Sequence, residues 1–172
     1  MPTLDTDALL TPLAGDAPCG PALDHDDAFQ ALERAAAGTP EQQYGDKIIA
    51  ATPPDWPAVH RHAQALAART RDLRVAVWLT RSAAHVEGLM GMVQGLQLLH
   101  GPLVHPQLDA SDDNDPTERI SAIWPLFREE GLADLRRAAL TPARNAVTVR
   151  DLELAFGGAK PHGGEAVPTA EA

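Results

Sequence analysis

Apolar residues along this chain recur mainly at helical spacing. Residues 4–27 read as an N-terminal arm and loop, with leucines first, then Pro and Gly, then acids. Asp24, Asp26 and Asp27 precede Phe29, Leu32 and Ala36, which fall on one helical face. Acids suit the positive end of a helix, so a helix is expected over 26–37, ended by Gly38. "GTPEQQYGDKIIAATPP" (38–54) reads as a polar loop. Asp55 is placed to cap the next helix, with Trp56 and Pro57 in its first turn. Trp56, Val59, Ala63, Leu66 and Ala67 share a face of it.

Asp72 is placed to cap a second long helix, "LRVAVWLTRSAAHVE". Leu73, Val75, Ala76, Val77, Trp78 and Leu79 are apolar on several sides, so this is expected to be the most buried helix. Gly88 breaks it, and a third helix is expected over 89–100. Gly91 and Gly95, at i and i+4, permit close helix–helix approach there. After a loop, Ile120, Ile123, Trp124 and Phe127 again follow helical spacing (i, +3, +4, +7). Pro125 inside that run is expected to kink it, since proline removes one backbone hydrogen bond. Gly131 is expected to stop it, with a short helix at 132–138 and an extended piece beyond. Thr148 and Asp151 resemble a capping box for a last helix ended by Gly157. The residues 158–172, rich in Gly, Pro, Ala and charge, read as a disordered linker or tail after a domain at 1–157.

Composition supports this pattern. The 172 residues suffice for one domain with a real core, and aromatics make up only 4%, so aliphatic side chains must fill it. Good helix formers abound and β-branched runs are scarce, which points to an all-α, compact, bundle-like domain with a long N-terminal arm. A net charge of −10 argues against nucleic-acid binding, which wants a basic face. Cys19 is the only cysteine, which excludes an intramolecular disulfide and a cysteine-based zinc site. "MPTLDTDALL" lacks the basic flank and long apolar run of a signal peptide. The apolar stretch Leu73 to Leu99 is interrupted by Arg74, Arg81 and Glu87, so it reads as core helix and not as a membrane span. These features fit a cytoplasmic protein.

The stretch "LDASDDNDPTERI" (108–120) invites three readings. A calcium loop starting at Asp109 wants glycine at its sixth position and glutamate at its twelfth; Asn114 stands at the sixth, and the glutamate is missing. A catalytic pair would need one carboxyl desolvated, and nothing nearby in sequence would do that. The third reading is a helix start: Asp115 as cap, Pro116 at the first position, Glu118 reaching back to the cap's N–H. Asp109, Asp112 and Asp113 exceed what capping needs.

Other chemistry is weaker. His60 and His62 lie two apart on a helix and point to different sides, and no H-E-x-x-H occurs. No metal ligand set and no cofactor site emerges. Cys19 as a nucleophile would need a base, for which His25 is the nearest in sequence; a structural thiol is the simpler reading. "RTRDLR" gathers Arg69, Arg71, Asp72 and Arg74 at a helix junction, either as a salt-bridged corner or as a partner-facing charged patch.

Several blocks in order carry a resemblance. They are "PLAGDAPCG", "RDLRVAVWLTR…EGLMGMVQGLQLL", "HPQLD…DPTERI" and "VTVRDLELAFG". Together they resemble, over roughly 9–157, the ImpA N-terminal family, the N-terminal domain of TssA proteins of bacterial type VI secretion systems. The resemblance implies a cytoplasmic assembly factor, without a catalytic centre, that helps to organise the baseplate and the tail tube and sheath. It also implies rings formed by further C-terminal parts, and hence a monomer for this chain alone. On that basis Asp109, Asp112 and Asp113, with Arg71 and Arg74, are expected to line a partner-contacting surface. The alternative is a metal-dependent hydrolase or calcium-binding module using the Asp-rich loop 109–118. Compared with the family, "LLHGPLVHPQLD" is abrupt, so the third helix is expected to be short and ended by Pro102.

Overall fold

The computed structural model describes residues 4–13, 15–39, 42–45, 47–104, 115–141 and 146–168. Its helices are α1 (Thr6–Leu10), α2 (Asp27–Ala37), α3 (Trp56–Ala67), α4 (Leu73–Val86), α5 (Gly88–Val104), α6 (Pro116–Phe127), α7 (Glu129–Arg136) and α8 (Val149–Ala155). Between α2 and α3 runs one small antiparallel hairpin, β1 (Gln42–Tyr44) and β2 (Lys47–Ile49), in the register Gln42 to Ile49. The domain is mostly helical.

Most helix starts carry an acidic or hydroxyl side chain that satisfies otherwise unpaired N–H groups. Asp26 accepts from the N–H groups of Ala28 and Phe29, at 2.9 and 3.0 Å. Asp55 accepts from Ala58 at 3.0 Å, Asp72 from Arg74 at 2.8 Å and Asp115 from Thr117 at 2.8 Å. Thr148 and Asp151 form a reciprocal capping box on α8. Glu118 is exposed in the first turn of α6, and the side-chain cap described there is the one from Asp115.

Helix α4 is the centre of the molecule, packed by α3, α5, α6 and α7. Leu73, Val75, Val77, Leu79 and Ala83 are all buried. Even its hydroxyls are inside, where they bond back into the helix: Thr80 Oγ1 donates to the Ala76 carbonyl at 2.8 Å and Ser82 Oγ to that of Leu79 at 3.2 Å. Against one side lie α2 and α3 with Phe29, Leu32, Val59, Ala63 and Leu66. Against another lies α5, brought close by its glycines. A Cβ on Gly95 would stand 2.5 Å from Thr80 Cα, and one on Gly91 would stand 2.7 Å from the Ala83 carbonyl oxygen.

Four details differ from what the sequence suggests. The arm contains a helix: Asp5 caps α1 through Ala8 N–H at 3.0 Å, and α1 packs on α5. Residues 42–49 pair as a hairpin where a polar loop was expected. Gly45, at φ +60, supplies the tight reversal, and the β-branched pair Ile48 and Ile49 suits the second strand. Helix α5 does not stop at residue 100 but continues through Pro102 to Val104. Proline forfeits its own N–H bond, yet its carbonyl accepts from Arg119 Nη2 of α6, which holds the last turn in place. The break near Pro125 comes at Arg128, whose backbone is extended (ψ 162), and Gly131 lies inside α7. That glycine allows the two helices to meet, since a Cβ there would stand 2.3 Å from the Pro125 carbonyl oxygen.

The turn from α4 to α5 uses Gly88 at φ +70, a conformation most side chains avoid. The following N–H, of Leu89, donates to the Ala139 carbonyl at 2.7 Å, and Ala139 also bridges to Thr148. The extended piece after α7 thereby locks the α4–α5 turn. Beyond α8, residues 158–168 form no helix or strand, but they are tied to it. Arg150 pairs with Glu165 at 2.9 Å and donates to the Lys160 carbonyl at 2.9 Å.

Candidate interaction surface

The basic corner between α3 and α4 is turned toward its own chain. Every nitrogen of the Arg71 guanidinium donates to a backbone carbonyl: Nε to Thr11 at 3.2 Å, Nη1 to Ala67 at 2.6 Å, Nη2 to Ala8 at 3.2 Å. Burial lowers its pKa from the usual arginine value. Arg74 grips the Asp72 carboxylate with Nε and Nη2, at 3.1 and 2.7 Å, and reaches Asp24 at 2.8 Å. The hydrogen bond that Arg74 donates to Asp72 raises the pKa of Arg74, and the one it donates to Asp24 lowers that of Asp24. Arg69 pairs with Asp26 at 2.6 Å and lowers its pKa in the same way. Arg71 N–H and Thr70 Oγ1 also bind carbonyls of Cys19 and Pro21, at 2.7 and 3.1 Å. Acids and carbonyls of the arm are thus stitched onto the α3–α4 corner.

Asp109, Asp112 and Asp113 lie outside the described residues, as does most of the proposed calcium loop. Arg71 and Arg74 are brought together, at the arm. Among the described residues no group of three or more His, Cys, Asp or Glu side chains is placed to hold a metal ion. None of the described helices is long and apolar enough to cross a membrane.

A second polar node is buried between α3, α4 and α7, and sequence reading had not singled it out. Asp134 accepts from Arg81 Nη2 at 2.6 Å and pairs with His85 Nε2 at 2.9 Å. The His85 ring stacks on Trp56, centroids 4.0 Å apart, and the Arg81 guanidinium lies over Trp78. Nearby, buried His60 pairs through Nε2 with Glu87 at 2.8 Å and through Nδ1 with Ser82 Oγ at 3.1 Å. These groups share one logic: buried charge and imidazole are kept only where partners satisfy them. The signal was present in the i, i+4 spacing of Arg81 and His85, but their common partner is far along the chain.

The outer face of α6 is the opposite kind of surface. Ile120, Trp124 and Phe127, at i, i+4 and i+7, are 59%, 59% and 58% exposed. The helix packs inward with Leu126, Ala122 and Ile123 instead. Sequence periodicity puts these three on one stripe with Ile123, of which only Ile123 packs on the core. The signal for this was the breadth of the apolar arc: Ile120, Ala122, Ile123, Trp124, Leu126 and Phe127 cover more of the circumference than one core contact uses. Around this ridge, residues 115–130 expose the carboxylates of Asp115, Glu118, Glu129 and Glu130 against the single guanidinium of Arg128. Arg119 turns inward, to Pro102. Helix α5 also exposes Met90, Val93, Leu96 and Leu103, with no charged residue along its length.

Comparison with known proteins places the chain in a family. A family model described as ImpA, N-terminal, type VI secretion system, matches residues 10–143. The chain belongs to the ImpA N-terminal family. The match takes in α2 to α7, and so both the arginine corner and the α6 ridge. This ImpA N-terminal domain is 46% identical over 132 residues to the type VI secretion system component TssA1 of Pseudomonas aeruginosa. That similarity covers 73% of the chain and 38% of the relative, so the chain spans well under half of that protein. Among solved structures it is similar to the N-terminal domain, including the conserved ImpA_N region, of the TssA component from Burkholderia cenocepacia. That match has a TM-score of 0.63 at 30% identity and covers 89% of this chain and 58% of that one.

Proposed function

We propose that this chain is a non-enzymatic assembly domain of a type VI secretion system. It works in the cytoplasm and contacts baseplate, tube or sheath proteins during tail construction. The observation that carries this reading is the family match over residues 10–143, supported by the similarity to TssA1. Exposed apolar side chains on α5 and α6 are the kind of surface that assembly proteins cover with partners. In the same reading Asp109, Asp112 and Asp113, just ahead of α6 in sequence, contribute an acidic partner contact.

The test is capture by the immobilised chain from a lysate containing the whole apparatus, read by mass spectrometry, with a heat-unfolded sample as control. Enrichment of baseplate, tube or sheath proteins over the control is the expected result. Equal recovery from folded and unfolded samples would remove the reading. Changing Asp109, Asp112 and Asp113 together to asparagine is expected to reduce capture while leaving the melting temperature in place.

A further inference from the structure

We propose that the Ile120–Trp124–Phe127 ridge of α6 is the anchor of a protein contact. Its occupant is an apolar groove rimmed by lysine and arginine on another protein of the secretion apparatus. The proposal deepens the assembly reading above and rests on it.

Four observations mark the ridge as an anchor. Ile120, Trp124 and Phe127 follow the i, i+4, i+7 spacing by which an amphipathic helix seats itself in a partner's groove. Each is nearly 60% exposed, so most of its apolar area is still available to a partner. Tryptophan and phenylalanine combine large apolar area with few rotatable bonds, which makes them efficient anchors. The helix is also rigidly backed: Leu126 is buried in the core, and Arg119 is bonded to the end of α5. An ordered anchor loses little entropy on binding.

Charge then decides between kinds of partner. Within residues 115–130 the exposed carboxylates of Asp115, Glu118, Glu129 and Glu130 outnumber the one exposed guanidinium, Arg128. A second copy docking ridge to ridge would set these carboxylates against their equivalents, on chains of net charge −10 each. Like charges facing each other across an interface oppose docking. A groove with a basic rim meets both requirements, the apolar stripe and the acidic border. By contrast, the exposed face of α5 has no charged residue to choose a partner.

The experiment replaces Trp124→p-benzoylphenylalanine and irradiates cells that assemble the apparatus. Arg61→p-benzoylphenylalanine, at an exposed position on α3, serves as the control. The expected product joins residue 124 to a different apparatus protein, at an apolar segment flanked by lysine or arginine. A product with a second copy of this chain, or with a segment lacking basic neighbours, overturns the proposal. So does the absence of any product at residue 124 when the unmodified chain captures apparatus proteins; in that case the assembly reading stands. Failure of the unmodified chain to capture any apparatus protein overturns both.

A second measurement uses the protein so identified. Trp124→Ser with Phe127→Ser is expected to weaken its binding about tenfold or more, with an unchanged melting temperature because both side chains are exposed. Glu129→Lys with Glu130→Lys is expected to weaken binding and flatten its dependence on salt. Unchanged affinity in both double variants overturns the proposal.

Discussion

Asp134 of α7 receives the Arg81 guanidinium of α4 at 2.6 Å, across 53 residues of chain and almost out of contact with water. The pair is more than an isolated bridge, because His85 takes the other carboxylate oxygen at 2.9 Å. Removing the carboxylate would leave a guanidinium buried without its main partner. Asp134→Ala is therefore expected to cost about 3–5 kcal/mol, measured by urea unfolding. Asp134→Asn, which keeps the shape and one acceptor, is expected to cost less. A loss below about 1 kcal/mol for the alanine variant would show that Arg81 finds water or another acceptor.

Gly95 controls how closely α5 approaches α4. A methyl group there would meet Thr80 Cα at 2.5 Å, and backbone cannot swing aside as a side chain tip can. Overpacking of this kind costs about 1–3 kcal/mol, against the roughly 1 kcal/mol that alanine gains over glycine in a helix. Gly95→Ala is expected to lower the melting temperature in spite of its better helix propensity. A rise would mean that the two helices separate at little cost.

Arg71 holds the arm through the carbonyls of Ala8 and Thr11. Arg71→Lys replaces a planar fork with a single ammonium, which cannot span those acceptors and Ala67 together. Either Arg71→Lys or Arg71→Ala is expected to speed amide exchange and protease cleavage across residues 5–20, with a small change in global melting. Exchange rates in the arm equal to those of the parent would show that α1 is held by its apolar contacts alone.

The contact between the tail and α8 carries its own pH dependence. The hydrogen bond from Arg150 lowers the pKa of Glu165 to about 2. A depressed folded-state value means that the unfolded chain takes up the proton first. The contribution is therefore complete above the ordinary glutamate range and is lost as pH falls toward 2. Asp24 and Asp26 have the same sign, through Arg74 and Arg69. Carboxyl titration by NMR should place Glu165 well below a free glutamate, and added salt should reduce the difference because the pair is solvent-facing.

Trp124 should also be visible directly. It is 59% exposed, whereas Trp56 and Trp78 are partly buried in the core. Acrylamide is expected to quench the parent's emission in two components, and Trp124→Phe is expected to remove the accessible one.

How much of this was legible in the sequence depends on the range of the interaction. The starts of α3 and α4 could be read because a cap is local: an aspartate and an N–H two or three residues on suffice. The depth of α4 could be read because Leu73 to Leu79 offers apolar side chains on nearly every side. The orientation of α6 could not. Ile120, Ile123, Trp124 and Phe127 make as good a stripe as Ala122, Ile123 and Leu126, and only the position of α4 chooses between them. Arg71 and Arg74 were noticed for their density, yet what they bind comes from Ala8, Thr11 and Asp24, which sequence distance hides. Pro102 misled for a related reason: its cost is set within α5, but the bond that secures its carbonyl comes from Arg119.

The placement of α1 has a consequence for synthesis. Its anchors are Arg71, whose contacts with Thr11 and Ala8 close 60 and 63 residues of chain, and α5, where Leu10 packs on Gly101. A helix of five residues has no stability of its own. The segment leaves the ribosome ahead of both anchors and must therefore wait, unfolded, until α5 has emerged behind it. The arm is made before its anchors and seated after them, and its leucines stay open to chaperones throughout that interval.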